Sequence, residues 1–117
     1  MKRVAIPMKN EMLSEQFGAC TYYKVYDIIG DRIRDWRLEL PVISEIRDLP
    51  AWISANGITD LITHRVERSI LTLFNVYKIN LYIGVRTDDP DRLVREFIKG
   101  RMVSDKSIIN EIIENNL

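Results

Sequence analysis

Between a short apolar run, Val4-Ala5-Ile6-Pro7, and a β-forming run, Tyr22 to Ile28, lies Met8 to Cys20, MKNEMLSEQFGAC, which concentrates the groups from which binding sites are made. Cys20 is the single cysteine and a candidate soft-metal ligand; Met8 and Met12 bring thioethers, Gln16 brings an amide, and Gly18 lets backbone approach a ligand closely. The same residues have a purely structural reading: Phe17 fills the core, Gly18 makes a turn, and Cys20 is a small buried hydrophobe. The single histidine, His64, sits in Thr63-His64-Arg65-Val66-Glu67. Neutral imidazole and thiolate form a soft-metal pair, so Cys20 and His64 are the candidate metal ligands. Against this, a lone histidine at a strand end commonly just hydrogen-bonds, and Arg65 and Arg68 disfavour a cation. Near a helix start they suit a phosphate or carboxylate, unless both are simply solvated and paired with neighbours such as Glu67.

Several elements must position these groups. Lys2 to Met8 reads as a short buried strand, because Val4, Ala5 and Ile6 are contiguous and Pro7 is tolerated only near a strand end. Tyr22 to Ile28 and Ile33 to Leu40 form a hairpin about a Gly30-Asp31 turn, with Trp36, Leu38 and Leu40 on one face and Asp35, Arg37 and Glu39 on the other. A helix follows from Asp48 to Asn56, capped by Asp48, with Pro50 in its first turn and Gly57 beyond its end. Then come a strand at Ile58 to Thr63, a helix at Val66 to Tyr77, a strand at Ile79 to Val85, and a helix that Asp88-Asp89-Pro90 opens and Gly100 closes. Alternating strands and helices imply parallel neighbours, while the hairpin adds an antiparallel member. The expectation is a mixed sheet of five strands in three layers. If the first strand and Ile58 to Thr63 are parallel neighbours, the Met8–Cys20 loop meets the Thr63–Glu67 turn at the sheet edge where open α/β sheets bind ligands.

Ser104 to Leu117 reads as a further helix, whose stripe of Ile108, Ile109, Ile112 and Ile113 either covers the domain or pairs with another subunit. The chain thus divides into an α/β domain, residues 1–103, and a C-terminal helix, residues 104–117. At 117 residues there is room for one core, and a hydrophobic fraction of 46% with 29% charged residues is ordinary for a soluble globular protein. A formal net charge of zero weighs against nucleic acid as a partner. No apolar run is long enough to span a bilayer, and Met1-Lys2-Arg3 leads into too few apolar residues for a signal peptide, so the expectation is a cytoplasmic protein without membrane contact. One cysteine permits neither an internal disulfide nor an all-cysteine metal site within one chain.

Three stretches in register carry a resemblance. The first is Val4-Ala5-Ile6-Pro7 followed by Leu13-Ser14-Glu15-Gln16-Phe17-Gly18-Ala19-Cys20; the second is Tyr23 to Ile28 with its Gly-Asp turn. The third runs from Leu49-Pro50-Ala51-Trp52-Ile53 through Gly57-Ile58 and Asp60-Leu61-Ile62 to Ile79-Asn80-Leu81-Tyr82 and Gly84. Together they resemble the dinitrogenase iron-molybdenum cofactor biosynthesis family, the nitrogenase accessory domains, over residues 2 to 100. The resemblance implies a ribonuclease-H-like fold, a five-stranded mixed sheet with helices on both faces. It also implies a non-enzymatic carrier of an iron-sulfur or iron-molybdenum-type cluster, with metallocluster assembly proteins as partners and a monomeric or homodimeric state. Phe17, Gly18 and Cys20 match the family loop, while Gln16 stands where the family has histidine. Thr63 to Glu67 stands where it has a glycine-rich turn. The candidate cofactor-binding set is Gln16, Phe17, Gly18, Cys20, His64 and Arg65.

The other reading is a metal-free interaction or regulatory domain on the same scaffold. A nuclease lacks its acidic cluster, since Val4-Ala5-Ile6 carries no carboxylate, and no serine triad, phosphate-binding loop or HExxH motif is present, so no enzyme is expected. If the first strand and Ile58 to Thr63 are parallel neighbours, Cys20 and His64 share a rim in which nearby arginines lower the Cys20 pKa, and Gly18, between Phe17 and the next strand, needs positive φ or a close approach.

Overall fold

A computed structural model describes residues 1–114, so the last residues of the expected C-terminal helix, 115–117, lie outside the described residues. Strand β1 (Lys2–Lys9) is followed by β2 (Met12–Leu13), the hairpin β3 (Tyr22–Ile29) and β4 (Arg32–Glu39), helix α1 (Leu49–Ala55), β5 (Asp60–Ile62), α2 (Arg68–Tyr77), β6 (Asn80–Tyr82), α3 (Pro90–Ile98) and α4 (Lys106–Glu114). The sheet is mixed, as expected, with spatial order β4-β3-β1-β5-β6 and β2 paired to the outer end of β1. It has six strands rather than five. The extra one folds back within the stretch read as loop: Asn10 and Glu11 adopt φ of 54° and 65°, the two left-handed residues of a tight hairpin turn, and set Met8 opposite Leu13.

β1 and β5 are parallel neighbours, with Val4 opposite Asp60 and Ala5 opposite Leu61. Because side chains alternate across a strand, β1 feeds two cores. Ala5 joins Tyr23, Val25, Leu61, Ile53, Ile70 and Phe74 beneath α1 and α2, whereas Val4 and Ile6 join Tyr26, Ile28, Ile62, Leu93, Val94 and Phe97 beneath α3. Pro50 in the first turn of α1 and Pro90 at the start of α3 open their helices where a missing N–H costs nothing. The Gly30-Asp31 turn joins β3 to β4, with Ile29 opposite Arg32 and Gly30 at φ 60°. β4 forms the sheet edge, and its apolar face, Trp36 and Leu38, is exposed. Among the described residues no helix is long and apolar enough to cross a membrane.

Candidate functional site

The C-terminal ends of β1 and β5 form a rim, and the chain from Met8 to Cys20 is pinned onto it at many points. Ser14 N–H donates to Pro7 O at 2.8 Å and Leu13 N–H to Asp88 O at 3.1 Å. The Thr21 N–H and hydroxyl both donate to Met8 O, at 2.8 and 3.0 Å, and the Ser14 hydroxyl donates to Gln16 O at 2.9 Å. The loop also meets the Thr63–Glu67 turn: Gln16 forms a parallel bridge with Arg65, with Arg65 N–H donating to Glu15 O at 3.1 Å and Phe17 N–H to Arg65 O at 2.8 Å. The expected meeting of these two segments is therefore observed.

Two hollows flank the loop tip. One of about 360 Å³ is lined by Lys9, Asn10, Met12, Ser14, Gln16 and Thr87 among others. The other, about 310 Å³, lies between Phe17, Gly18, Ile46, Glu67 and Ile70. Gln16 and Ala19 line both. Met12 is thus on a wall, whereas Met8 is buried in the core beneath α3. Phe17 is buried too, set edge-on to Tyr23 and Phe74 at centroid distances of 6.2 and 5.6 Å, which holds the loop tip to the core. Gly18 does not have positive φ; its need is room, because a Cβ there would collide with Ile46 Cδ1.

Cys20 is half-buried against the α1 and α2 core. Burial pushes its thiol up, with the neighbouring Tyr23 hydroxyl pulling more weakly the other way and no arginine contributing. This corrects the expectation that Arg65 and its neighbours favour the thiolate: in an apolar setting the cost of desolvating the anion dominates. The Tyr23 hydroxyl is buried beside the Cys20 side chain without a formed hydrogen bond. The same burial, with Cys20 beside it, drives the Tyr23 phenol far above its ordinary range.

His64, on the other side of the rim, is half-buried with Nδ1 2.9 Å from Val85 O. A carbonyl only accepts, so Nδ1 carries the proton and a neutral ring keeps its lone pair on Nε2, the arrangement that readies a histidine as a ligand. The rim does not, however, supply a full donor set. Among the described residues no group of three or more His, Cys, Asp or Glu side chains could hold a metal ion. Arg65 is engaged by Glu111 of α4, at 2.5 Å from Nη2 to Oε2. Sequence reasoning missed Glu111, Ile46, Asn10 and Thr87; only Asn10, a residue tolerant of left-handed backbone, carried a local signal.

No family model and no curated protein matches the chain. Solved structures do. PH0822 superposes with a TM-score of 0.79 at 27% identity, covering 88% of this chain and 94% of that one. A candidate dinitrogenase from Methanocaldococcus jannaschii gives 0.70 at 18% identity, over 88% of this chain and 93% of that one. The apo form of the orange protein from Desulfovibrio gigas gives 0.72 at 14% identity, over 90% and 93%. The chain has the fold of these proteins, the candidate dinitrogenase among them, and at the level of the fold this bears out the resemblance carried by Val4–Pro7 and Leu13–Cys20.

Proposed function

We propose that this protein is a non-enzymatic binding protein of the nitrogenase-accessory kind, a cytoplasmic carrier on the ribonuclease-H-like version of the α/β fold, whose cargo is a preformed anionic cluster or related anionic cofactor. The observation that carries the reading is the pinned loop at the C-terminal edge of β1 and β5, with Gln16 lining both hollows and bridged to Arg65. The donor set does not suit a bare metal ion. A cluster that brings its own sulfides needs fewer protein donors, and Cys20 with His64 Nε2 would supply the two. The Gln16 amide, loop N–H groups and Arg65 would meet its negative charge. In this role Phe17 and Gly18 hold the loop's shape. Assembly proteins that hand over the cluster are the corresponding partners.

The test is anaerobic reconstitution with iron and sulfide. Wild type develops charge-transfer absorption, Cys20→Ser loses it, His64→Ala weakens it, and Gln16→His, which installs a stronger ligand, takes up more. If Gln16→His takes up no more than wild type, the cluster reading is abandoned. A second reading, a metal-free interaction domain, is favoured by one observation, the ion pair that occupies Arg65. It requires wild type and every variant to stay colourless.

A further inference from the structure

The loop side of the rim is open, but the His64–Arg65 side is covered by the chain's own last helix, and the cover is anionic where the rim is cationic. Glu111 Oε2 lies 2.5 Å from Arg65 Nη2, and Arg68 Nη1 donates to the Ile113 carbonyl at 3.5 Å. Gly84, at φ +81°, lies beneath: a Cβ there would stand 2.5 Å from Asp105 Cβ and 3.1 Å from Ile108 Cβ, so α4 rests directly on the backbone that follows β6. The lead-in to α4 is held to the outer edge and end of β6 by three hydrogen bonds, from Asp105 N–H to Ile83 O at 2.7 Å, from Ile83 N–H to Ser104 Oγ at 3.0 Å and from the Ser104 hydroxyl to Leu81 O at 3.5 Å. A hollow of about 390 Å³ adjoins this lead-in, which gives it room to hinge.

We propose that α4 is an internal competitor for an oxyanion. The Glu111 carboxylate holds the place on Arg65 that a ligand's charged oxygen takes, so binding there requires α4 to lift. This deepens the reading above and rests on it only for placing an anionic ligand at the rim. A guanidinium takes carboxylate, sulfate and phosphate oxygens by the same forked geometry. The Arg65–Glu111 pair is 33% and 48% exposed, which makes it weak enough to exchange. Linkage makes the effect reciprocal: whatever displaces Glu111 loosens α4, and whatever loosens α4 raises affinity for the anion.

Inorganic sulfate titrated into the full chain, followed through the backbone amide resonances of residues 64–68, tests this. Glu111→Gln binds sulfate about fivefold more tightly than wild type, the fold-change available from one partly exposed ion pair. Adding Arg65→Ala to Glu111→Gln removes the gain. Sulfate also speeds hydrogen exchange of the α4 amides in wild type. No gain in Glu111→Gln, or a gain that survives Arg65→Ala, overturns the proposal. A sulfate gain without any cluster uptake defeats the carrier reading and leaves the competitor standing; cluster uptake indifferent to Glu111→Gln does the reverse.

Discussion

At the end of β1 the chain turns back on itself, adds β2, and drapes residues 14–20 over the sheet edge as a pinned but uncovered loop with a hollow on each side. At the end of β5 the corresponding turn is short, and a helix from the far end of the sequence lies across it, joined by the Arg65–Glu111 pair. The two halves touch along the Gln16–Arg65 bridge. What separates them is the source of their packing. The open half is held by backbone hydrogen bonds to the rim, such as Phe17 N–H to Arg65 O, and by one deep anchor, Phe17; the closed half is held by a helix from the far end of the sequence, with Glu111 on Arg65 at a separation of 46. Backbone hydrogen bonds preserve a shape that stays accessible to ligand, whereas a docked terminal helix makes access conditional.

The two halves differ most at Gly84. Alanine there meets both a left-handed backbone and the Asp105 and Ile108 side chains, so we expect Gly84→Ala to lower stability by about 2–4 kcal/mol in a urea melt. The cost is capped, because once the clash exceeds what docking contributes, α4 leaves. Truncation after Arg101 should therefore leave a cooperatively folding, less soluble domain that has lost roughly 1–3 kcal/mol, through exposure of the surface that Ile112 and its neighbours cover. In that truncated chain Gly84→Ala should cost only the backbone strain. Non-cooperative unfolding of the truncated chain would mean that α4 belongs to the core and that the closed half cannot open.

Gly18→Ala is the matching change in the open half and should cost about 1 kcal/mol or less. The atom it strikes is the end of the Ile46 side chain, which is partly exposed and can swing aside. Equal melting losses for Gly18→Ala and Gly84→Ala would show that the two halves are equally rigid.

What could be read from the sequence follows the range of each signal. The contiguous Val4-Ala5-Ile6, the Gly30-Asp31 turn and Pro50 each signal their element within a few residues, so β1, the hairpin and α1 were legible, as was the adjacency of β1 and β5. The expected cap on α1 is not made, because the Asp48 carboxylate accepts from Glu45 N–H of the preceding turn instead. β2 was not, because Glu11, the second left-handed residue of its turn, is not a residue type that announces such backbone. The isoleucine stripe of α4 tells that one face is covered but not by what, so Glu111 on Arg65 could not be foreseen from spacing. The Cys20 environment was misjudged for a related reason: proximity in topology suggested arginines, while burial, a property of packing, sets the thiol's direction. His64 was placed on the rim correctly, but its partner, Val85 O, lies 21 residues on and left no local trace.

The smallest expected effect lies beneath the open half and distinguishes two tyrosines of β3 that point to opposite faces. Tyr26 donates from its hydroxyl to Asp91 at 2.5 Å, so Tyr26→Phe should cost about 1 kcal/mol. Tyr23 is as deeply buried, yet its hydroxyl has no hydrogen-bond partner, so the folded state bears the desolvation of a polar group without return. Phenylalanine keeps the ring, its edge-on contact with Phe17 and its tilted contact with Trp52 at 5.6 Å, and discards only the unsatisfied oxygen. We therefore expect Tyr23→Phe to be neutral or to stabilise by up to about 1 kcal/mol, read from urea midpoints at unchanged slope. The thiol gives a second readout. With the Tyr23 hydroxyl, the larger of two lowering influences, removed, Cys20 should be alkylated more slowly at mildly alkaline pH, because a smaller fraction is thiolate. A Tyr23→Phe loss as large as that of Tyr26→Phe, with alkylation unchanged, would mean that the hydroxyl is satisfied elsewhere and that Cys20 sits in the open half without a polar neighbour.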